Sequence, residues 1–316
     1  MTSPAIEVRN LEKTYRTFRG KTMSALQGVS LRVEPGTIFG LIGQNGAGKT
    51  TLIKILLGLA TPTAGDARLL GGQPSDPAVR RRVGYLPEQM RLPDYFQAKN
   101  FLRYMGLLNG ADRTAMKRRI PALLERVGLG DERKPVKAYS KGMQQRLGLA
   151  QALVSDPELL FLDEPTDGLD PLGRKDVRNL LIELRAEGKT IFLNSHLLSE
   201  IELVCDRIVI LNKGEVARAA TPEEFTRGTG EYLVRVAAAD DAVRAAAAAV
   251  TGHGAAEWEQ STLRFVPRDR TQLNSLLDQL RGVPVEIESV EPVRLSLEEF
   301  FLQVVSGQEA ECSQRI

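Results

Sequence analysis

With 316 residues, 42% hydrophobic and 26% charged, the chain has room for two domains and the balance of a globular protein, which excludes a disordered or collagen-like chain. Its longest uncharged run, Pro35–Gly48, has 14 residues and holds five glycines, well short of the roughly 20 apolar residues of a spanning helix. The two cysteines, Cys205 and Cys312, make neither a disulfide framework nor a metal-ligand spacing, and a net charge of +2 gives no ground for a nucleic-acid partner.

In chain order, Met1-Thr2-Ser3-Pro4 has neither the basic flank nor the apolar run of a secretion signal, and the two cysteines without a framework make a reducing cytosol the expectation. Ile6–Arg9 and Gly28–Val33 alternate with a period near two and predict short strands. Thr37–Ile42 is apolar and too short for a helix, which predicts a strand buried on both faces. It leads into Gly43-Gln44-Asn45-Gly46-Ala47-Gly48-Lys49-Thr50, then Thr51 and the apolar, helical Leu52–Leu57.

This matches G-x-x-x-x-G-K-[ST] completely, in the strand, loop, helix context that a phosphate loop requires. Glycines let consecutive N–H groups curl around phosphate oxygens, and the new helix adds four unpaired N–H groups and the positive end of its dipole. Lys49 then reaches the β- and γ-phosphates, and the Thr50 hydroxyl is placed for Mg²⁺. The candidate phosphate contacts are Gly43, Asn45, Gly46, Ala47, Gly48, Lys49, Thr50 and Thr51. A glycine-rich turn that binds nothing would not need these flanks, so a nucleoside triphosphate is expected.

Arg91–Leu153 reads as mostly helical with several breaks, and Ser140 stands where a helix cap belongs, 91 residues beyond Lys49. A second buried strand, Leu159–Leu162, ends in Asp163-Glu164 and brings two carboxylates to the sheet edge. Asp163 is expected to hold Mg²⁺ through water, opposite Thr50, leaving Glu164 to orient or deprotonate the attacking water.

At Tyr139-Ser140-Lys141-Gly142-Met143 the chain resembles the ATP-binding subunits of ABC transporters, whose signature is usually Leu-Ser-Gly-Gly-Gln. Ser140 and Gly142 are kept, whereas Lys141 and Met143 depart, in a variant similar to that of ABC-2-type exporters. The resemblance covers roughly residues 5–225. It implies a RecA-like α/β core with an antiparallel β subdomain and an inserted helical subdomain, about residues 91–155. It further implies that Tyr15 stacks on adenine, that Gln89 senses Mg²⁺ and the attacking water, and that His196 contacts the γ-phosphate. Ser140 and Gly142 would face the nucleotide of a second ATP-binding subunit, in a homodimer or heterodimer, with Asp170 at the junction. Taken singly, Tyr15, Gln89 and His196 would pass as ordinary strand or loop residues, and the ordered set gives them meaning. Absence of a long heptad insertion argues against DNA-repair ATPases, and the single phosphate loop against translation-factor relatives.

Charge shifts along the chain, from +7 over residues 1–225 to −5 over 226–316, and the last lysine is Lys213. A boundary is therefore expected near Thr226–Gly230. Residues 231–305 read as β-α-β-β-α-β, a ferredoxin-like order. The strands are Glu231–Val236, Ala255–Glu259, Thr262–Val266 and Val285–Val290, the helices Asp240–Val250 and Asp269–Arg281, and Ser296 caps a terminal helix. His253 lies in a Gly-flanked loop and reads as structural. The expected layout is an ATP-binding domain over 1–225, an accessory domain over 226–305 that dimerises or stabilises, and a flexible tail over 306–316.

The resulting expectation is an ATPase of an ABC-2-type exporter. It would use ATP and Mg²⁺ and sit peripherally on the inner face of the cell membrane through separate transmembrane permease subunits. The alternative is a soluble ABC ATPase of regulation or repair with no membrane partner.

Overall fold

The computed structural model describes residues 3–16, 22–130, 132–226, 228–251 and 256–306. The expectations for His253, Cys312 and residues 307–316 lie outside these. By their contacts the described residues divide into two compact units, one running to Pro222 and resuming at Phe301, the other Glu223–Phe300.

In the first unit β1 (Ile6–Arg16) and β2 (Thr22–Val33) pair antiparallel. They run further than their alternation predicts. The register shifts at three places between Val8 and Thr14, and Asn10 has φ 46°, so bulges interrupt the period of two. β3 (Ile38–Gly43) and α1 (Lys49–Leu56) follow, and β4 (Ala64–Leu69) joins the other edge of β1 to give the sheet β2-β1-β4. After α2 (Pro77–Arg80) and β5 (Val83–Leu86) comes the helical stretch of α3 (Ala98–Leu108), α4 (Arg113–Arg126) and α5 (Lys141–Leu153). Then β6 (Leu159–Asp163), α6 (Pro171–Ala186), β7 (Thr190–Asn194), α7 (Leu198–Val204), β8 (Arg207–Asn212) and β9 (Glu215–Ala220) complete the run, and α8 (Pro222–Phe225) spans the boundary between the two units.

The second sheet has the order β5-β6-β7-β3-β8-β9, parallel except for β9. β6 and β7 are buried along their whole length, as parallel strands covered on both faces must be. Leu52, Ile53, Ile55 and Leu56 of α1 pack into one core with apolar side chains of both sheets. Within it Phe192 stacks on Phe39 at 5.6 Å and meets Phe161 at 5.2 Å. This packing fixes α1, and the loop before it, against the strand ends.

The second unit holds β10 (Gly228–Val236), α9 (Asp241–Thr251), β11 (Ala256–Glu259), β12 (Thr262–Phe265), α10 (Arg270–Arg281) and β13 (Ile287–Arg294). Its antiparallel sheet has the order β11-β12-β10-β13. The core joins Val234, Val236, Leu263 and Phe265 to Val243, Ala247, Leu276 and Leu280. β13 extends past the expected Val290 through Pro292, which a strand tolerates at a sheet edge. α11 (Leu297–Ser306) begins with a reciprocal cap: Glu299 N–H donates to Ser296 Oγ at 3.2 Å, and Ser296 N–H to the Glu299 carboxylate at 2.8 Å.

Candidate functional site

β3 lies between β7 and β8, so its carboxyl end opens into the crevice where open α/β sheets bind ligands. The loop Gly43–Gly48 turns there into α1. Gly48 has φ 106°, and a Cβ on it would lie 2.4 Å from the carbonyl oxygen of Ala25, so the turn demands glycine. α1 starts at Lys49 with no side-chain cap and no acidic residue in its first turn. Its leading N–H groups and dipole are thus left for an external anion. Lys49 Nζ folds back to donate to the carbonyls of Gly43 and, at 3.1 Å, Gln44. Burial pushes its ammonium down, opposed by the carboxylates of Glu164, Asp163 and Glu88. Along the loop Asn45, Gly46 and Thr50 are exposed, Ala47 is buried, and Gly43, Gly48, Lys49 and Thr51 are intermediate.

Asp163 and Glu164 stand at the end of β6, two strands from β3. The register pairs Asn194 of β7 with Asp163 on one side and Leu41 on the other, and Asn194 Nδ2 donates to the Asp163 carboxylate. Burial pushes the Asp163 carboxyl up, with the Asn194 hydrogen bond acting against it. Asn194 Oδ1 is buried without a hydrogen-bond partner among the described residues. Asp163, Thr50 and Gln89 offer hard oxygen donors, which suit Mg²⁺ held by few carboxylates and the substrate's phosphates. A buried carboxylate with a raised pKa is also a group that a dication would keep ionised.

Glu164 has φ 52°, a left-handed conformation rare outside glycine. Its backbone is pinned there: the N–H donates to Asn194 O at 2.8 Å, and the carbonyl accepts from Asp167 N at 3.1 Å and Gln145 Nε2 at 2.8 Å. Its side-chain Oε2 lies 2.8 Å from His196 Nδ1 and accepts from Ser195 Oγ at 3.3 Å. Burial raises the Glu164 carboxyl, and His196 is the main group opposing that. A partly buried, proton-hungry carboxylate beside a lysine in a phosphate loop is suited to drawing a proton from water.

Lys49, Asp163, Glu164 and His196 therefore come together. Ser140 caps α5, its Oγ accepting from Met143 N–H at 3.2 Å, and remains exposed. Gly142 faces Leu169. Asp170 caps α6 by accepting from Gly173 N–H at 2.8 Å. Tyr15 on β1 is half-exposed with Lys13 Nζ 5.1 Å above its ring, and Gln89 is exposed on the loop after β5 beside Glu88. Among the described residues no hydrogen bond or ion pair joins Tyr15, Gln89, Ser140, Gly142 or Asp170 to Lys49, Asp163 or Glu164.

Sequence reasoning missed Gln145, Asn194, Ser195 and Glu88. The available signal was positional. Asn194 and Ser195 are polar residues at the end of an apolar strand, directly before His196, and Gln145 is a buried amide one turn beyond Ser140.

A family model described as ABC transporter matches residues 26–167. An uncharacterized ABC transporter ATP-binding protein of Nostoc sp. is 40% identical over 313 residues, covering 98% of this chain and 92% of that protein. The daunorubicin resistance ATP-binding protein DrrA3 of Streptomyces coeruleorubidus is 35% identical over 311 residues, 96% of both chains. Among solved structures, the dimeric post-hydrolysis ATP-binding cassette MJ0796 bound to ADP and Pi aligns at TM-score 0.63 and 26% identity, covering 69% of this chain and 98% of that one. With a phosphate loop, a carboxylate pair and relatives matched almost end to end, the chain belongs to the ABC transporter ATP-binding proteins and is an ATP-hydrolysing subunit of that family.

Proposed function

We propose that this chain powers an ABC-2-type exporter, as one of two ATP-binding subunits in a homodimer or heterodimer, attached to the inner face of the cell membrane through separate permease subunits. The observation that carries the reading is the uncapped start of α1 at Lys49 beside buried Glu164, whose carboxylate meets the exposed His196 ring. Likeness to a daunorubicin resistance ATP-binding protein over nearly the whole chain supports the exporter class. No helix among the described residues is long and apolar enough to cross a membrane.

In this reading the N–H groups of Gly46 to Thr51 hold the phosphates and Lys49 leaves the loop carbonyls for the β- and γ-phosphates. Tyr15 offers its ring to adenine. Mg²⁺, held by Thr50, Asp163 and Gln89, would neutralise charge on the phosphates. Glu164 takes the proton from the attacking water, with Gln89 orienting that water. His196 gives its Nδ1 side to Glu164, which leaves Nε2 to contact a phosphate oxygen. Ser140, Gly142 and the start of α5 complete the partner subunit's site, with Asp170 at the junction.

The β-α-β-β-α-β order and the strand sequence β11-β12-β10-β13 support a ferredoxin-like accessory domain over 226–305, which we assign to dimerisation or stability. A contiguous apolar patch on and before α3 supports contact with a membrane subunit. Tyr95 is 82% exposed, Tyr104 51% and Leu108 63%, and Phe96 stacks on Tyr104 and meets Tyr95 at a tilt. Co-expression with a candidate membrane subunit tests the reading. The chain should then sediment with membranes, and its ATP turnover should rise. Full turnover with no membrane association in the presence of that protein would favour the soluble regulator or repair ATPase instead.

A further inference from the structure

Lys141 departs from the family signature, and its side chain has a specific partner. It opens α5 directly after the Ser140 cap, and its Nζ lies 2.8 Å from Asp167 Oδ2, in the turn between Glu164 and α6. The lysine stem runs over Gly168, where a Cβ would lie 2.5 Å from Lys141 Cδ. Leu169 covers Gly142, and further along α5 Gln145 Nε2 donates to the Glu164 carbonyl, the same oxygen that accepts the Asp167 N–H. The Asp167 carboxyl is held below its ordinary value, first by the hydrogen bond from Lys141. The turn from Glu164 to Leu169 is thus fastened to the start of α5 at three successive places, and Lys141 supplies the only charged fastening among them. A glycine at 141, as in the usual signature, could not make it.

We propose that Lys141 and Asp167 form a clasp that fixes the Glu164–Asp170 turn on α5, which makes Lys141 a positioning residue for hydrolysis. The clasp compensates for the altered signature by tying the segment that faces the partner's nucleotide to the chain's own water-activating carboxylate. This rests on the reading of Glu164 as the group that takes the proton. The lysine side chain is 66% exposed and the aspartate 41%, so the pair contributes little to overall stability, and its effect is local.

The test uses the full chain with its membrane partner and the variants Lys141→Ala, Asp167→Ala, their double, Lys141→Arg and the swap Lys141→Asp with Asp167→Lys. Each single alanine variant should lower kcat about tenfold, with KM for ATP within about twofold and an unchanged melting temperature. The double should fall no further than either single, and Lys141→Arg and the swap should recover most of the loss. Hydrogen exchange of amides 164–170 should quicken about fivefold or more in Lys141→Ala, while amides 43–52 keep their rates. Multiplied losses in the double variant, or unchanged exchange over 164–170, overturn the clasp. Glu164→Gln run in parallel separates the two readings: wild-type turnover there overturns the role of Glu164, while the exchange rates still decide whether the clasp exists.

Discussion

Gln145 Nε2, on the helix that Ser140 caps, donates at 2.8 Å to the main-chain carbonyl of Glu164. The bond is buried, with Gln145 7% exposed, and it joins the segment proposed to face the partner's nucleotide to the carboxylate proposed to work on the chain's own. Both ends must be satisfied at once, because a buried amide without partners is costly.

Gln145→Leu keeps most of the volume and removes the donor. The Glu164 carbonyl retains Asp167 N–H, so stability should fall by about 1 kcal/mol, not the larger penalty of an orphaned carbonyl. Turnover should fall more than ATP affinity, because the loosened group is Glu164 and not Lys49. Urea unfolding and ATP titration of the full chain check both halves. An equal loss of affinity and turnover would contradict this coupling.

Glu164→Gln keeps the shape and removes the charge that accepts the proton. ATP affinity should stay near wild type, and turnover should drop about a hundredfold or more, the usual worth of a general base. Titration of bound nucleotide and steady-state phosphate release measure the two. Hydrolysis at the wild-type rate would assign the proton to another group.

Asp156 receives Lys189 Nζ at 2.6 Å and Arg119 Nη2 at 2.8 Å, tying α4 to the approach to β7. The Lys189 hydrogen bond is the chief cause that holds its carboxyl below the ordinary value. A carboxyl depressed in the folded state stabilises above its unfolded value of about 3.9, and that contribution is lost as pH falls through the folded value. The Asp156 side chain is 52% exposed, so screening limits the two pairs to roughly 0.5–1 kcal/mol in total. Its φ of 55° suits asparagine as well, so Asp156→Asn isolates the charge. The variant should be less stable at pH 7 and should converge with wild type in acid, once the depressed Asp156 carboxyl is protonated. An equal difference in urea unfolding at pH 7 and in acid would show that charge is not its source.

The parts of the site legible in the sequence are those whose chemistry dictates spacing along the chain. A phosphate loop must join a strand to a helix, so Lys49 and Thr50 are visible in any strand, loop, helix run. Asp163 and Glu164 are visible because charge after a buried strand has to emerge at the sheet edge. Gln145 escapes such reading because its partner is a main-chain carbonyl, which any residue supplies, and the fold brings α5 to the turn after β6. Asn194 is likewise defined by register, between β3 and β6, and not by its neighbours in sequence. In the fold, β1 and β2 outrun their alternation because bulges reset which face each side chain takes. The β-α-β-β-α-β order beyond residue 226 is legible because each element keeps its own period.

The central claim is that each nucleotide is served by Lys49 of one chain and Ser140 of its partner, and a mixing experiment addresses it most directly. Lys49→Ala removes the phosphate-binding ammonium, and Ser140→Arg blocks the capped start of α5, so each variant alone should be inactive as a homodimer. In a mixed dimer with composite sites, one site receives both lesions and the other neither. Activity should therefore return in part, to no more than about half per dimer if one intact site suffices. A dimer with both lesions in one chain and a wild-type partner carries one lesion at each composite site and should stay inactive. No recovery in shown mixed dimers, together with activity in that control, would place each site wholly within one chain and contradict the account.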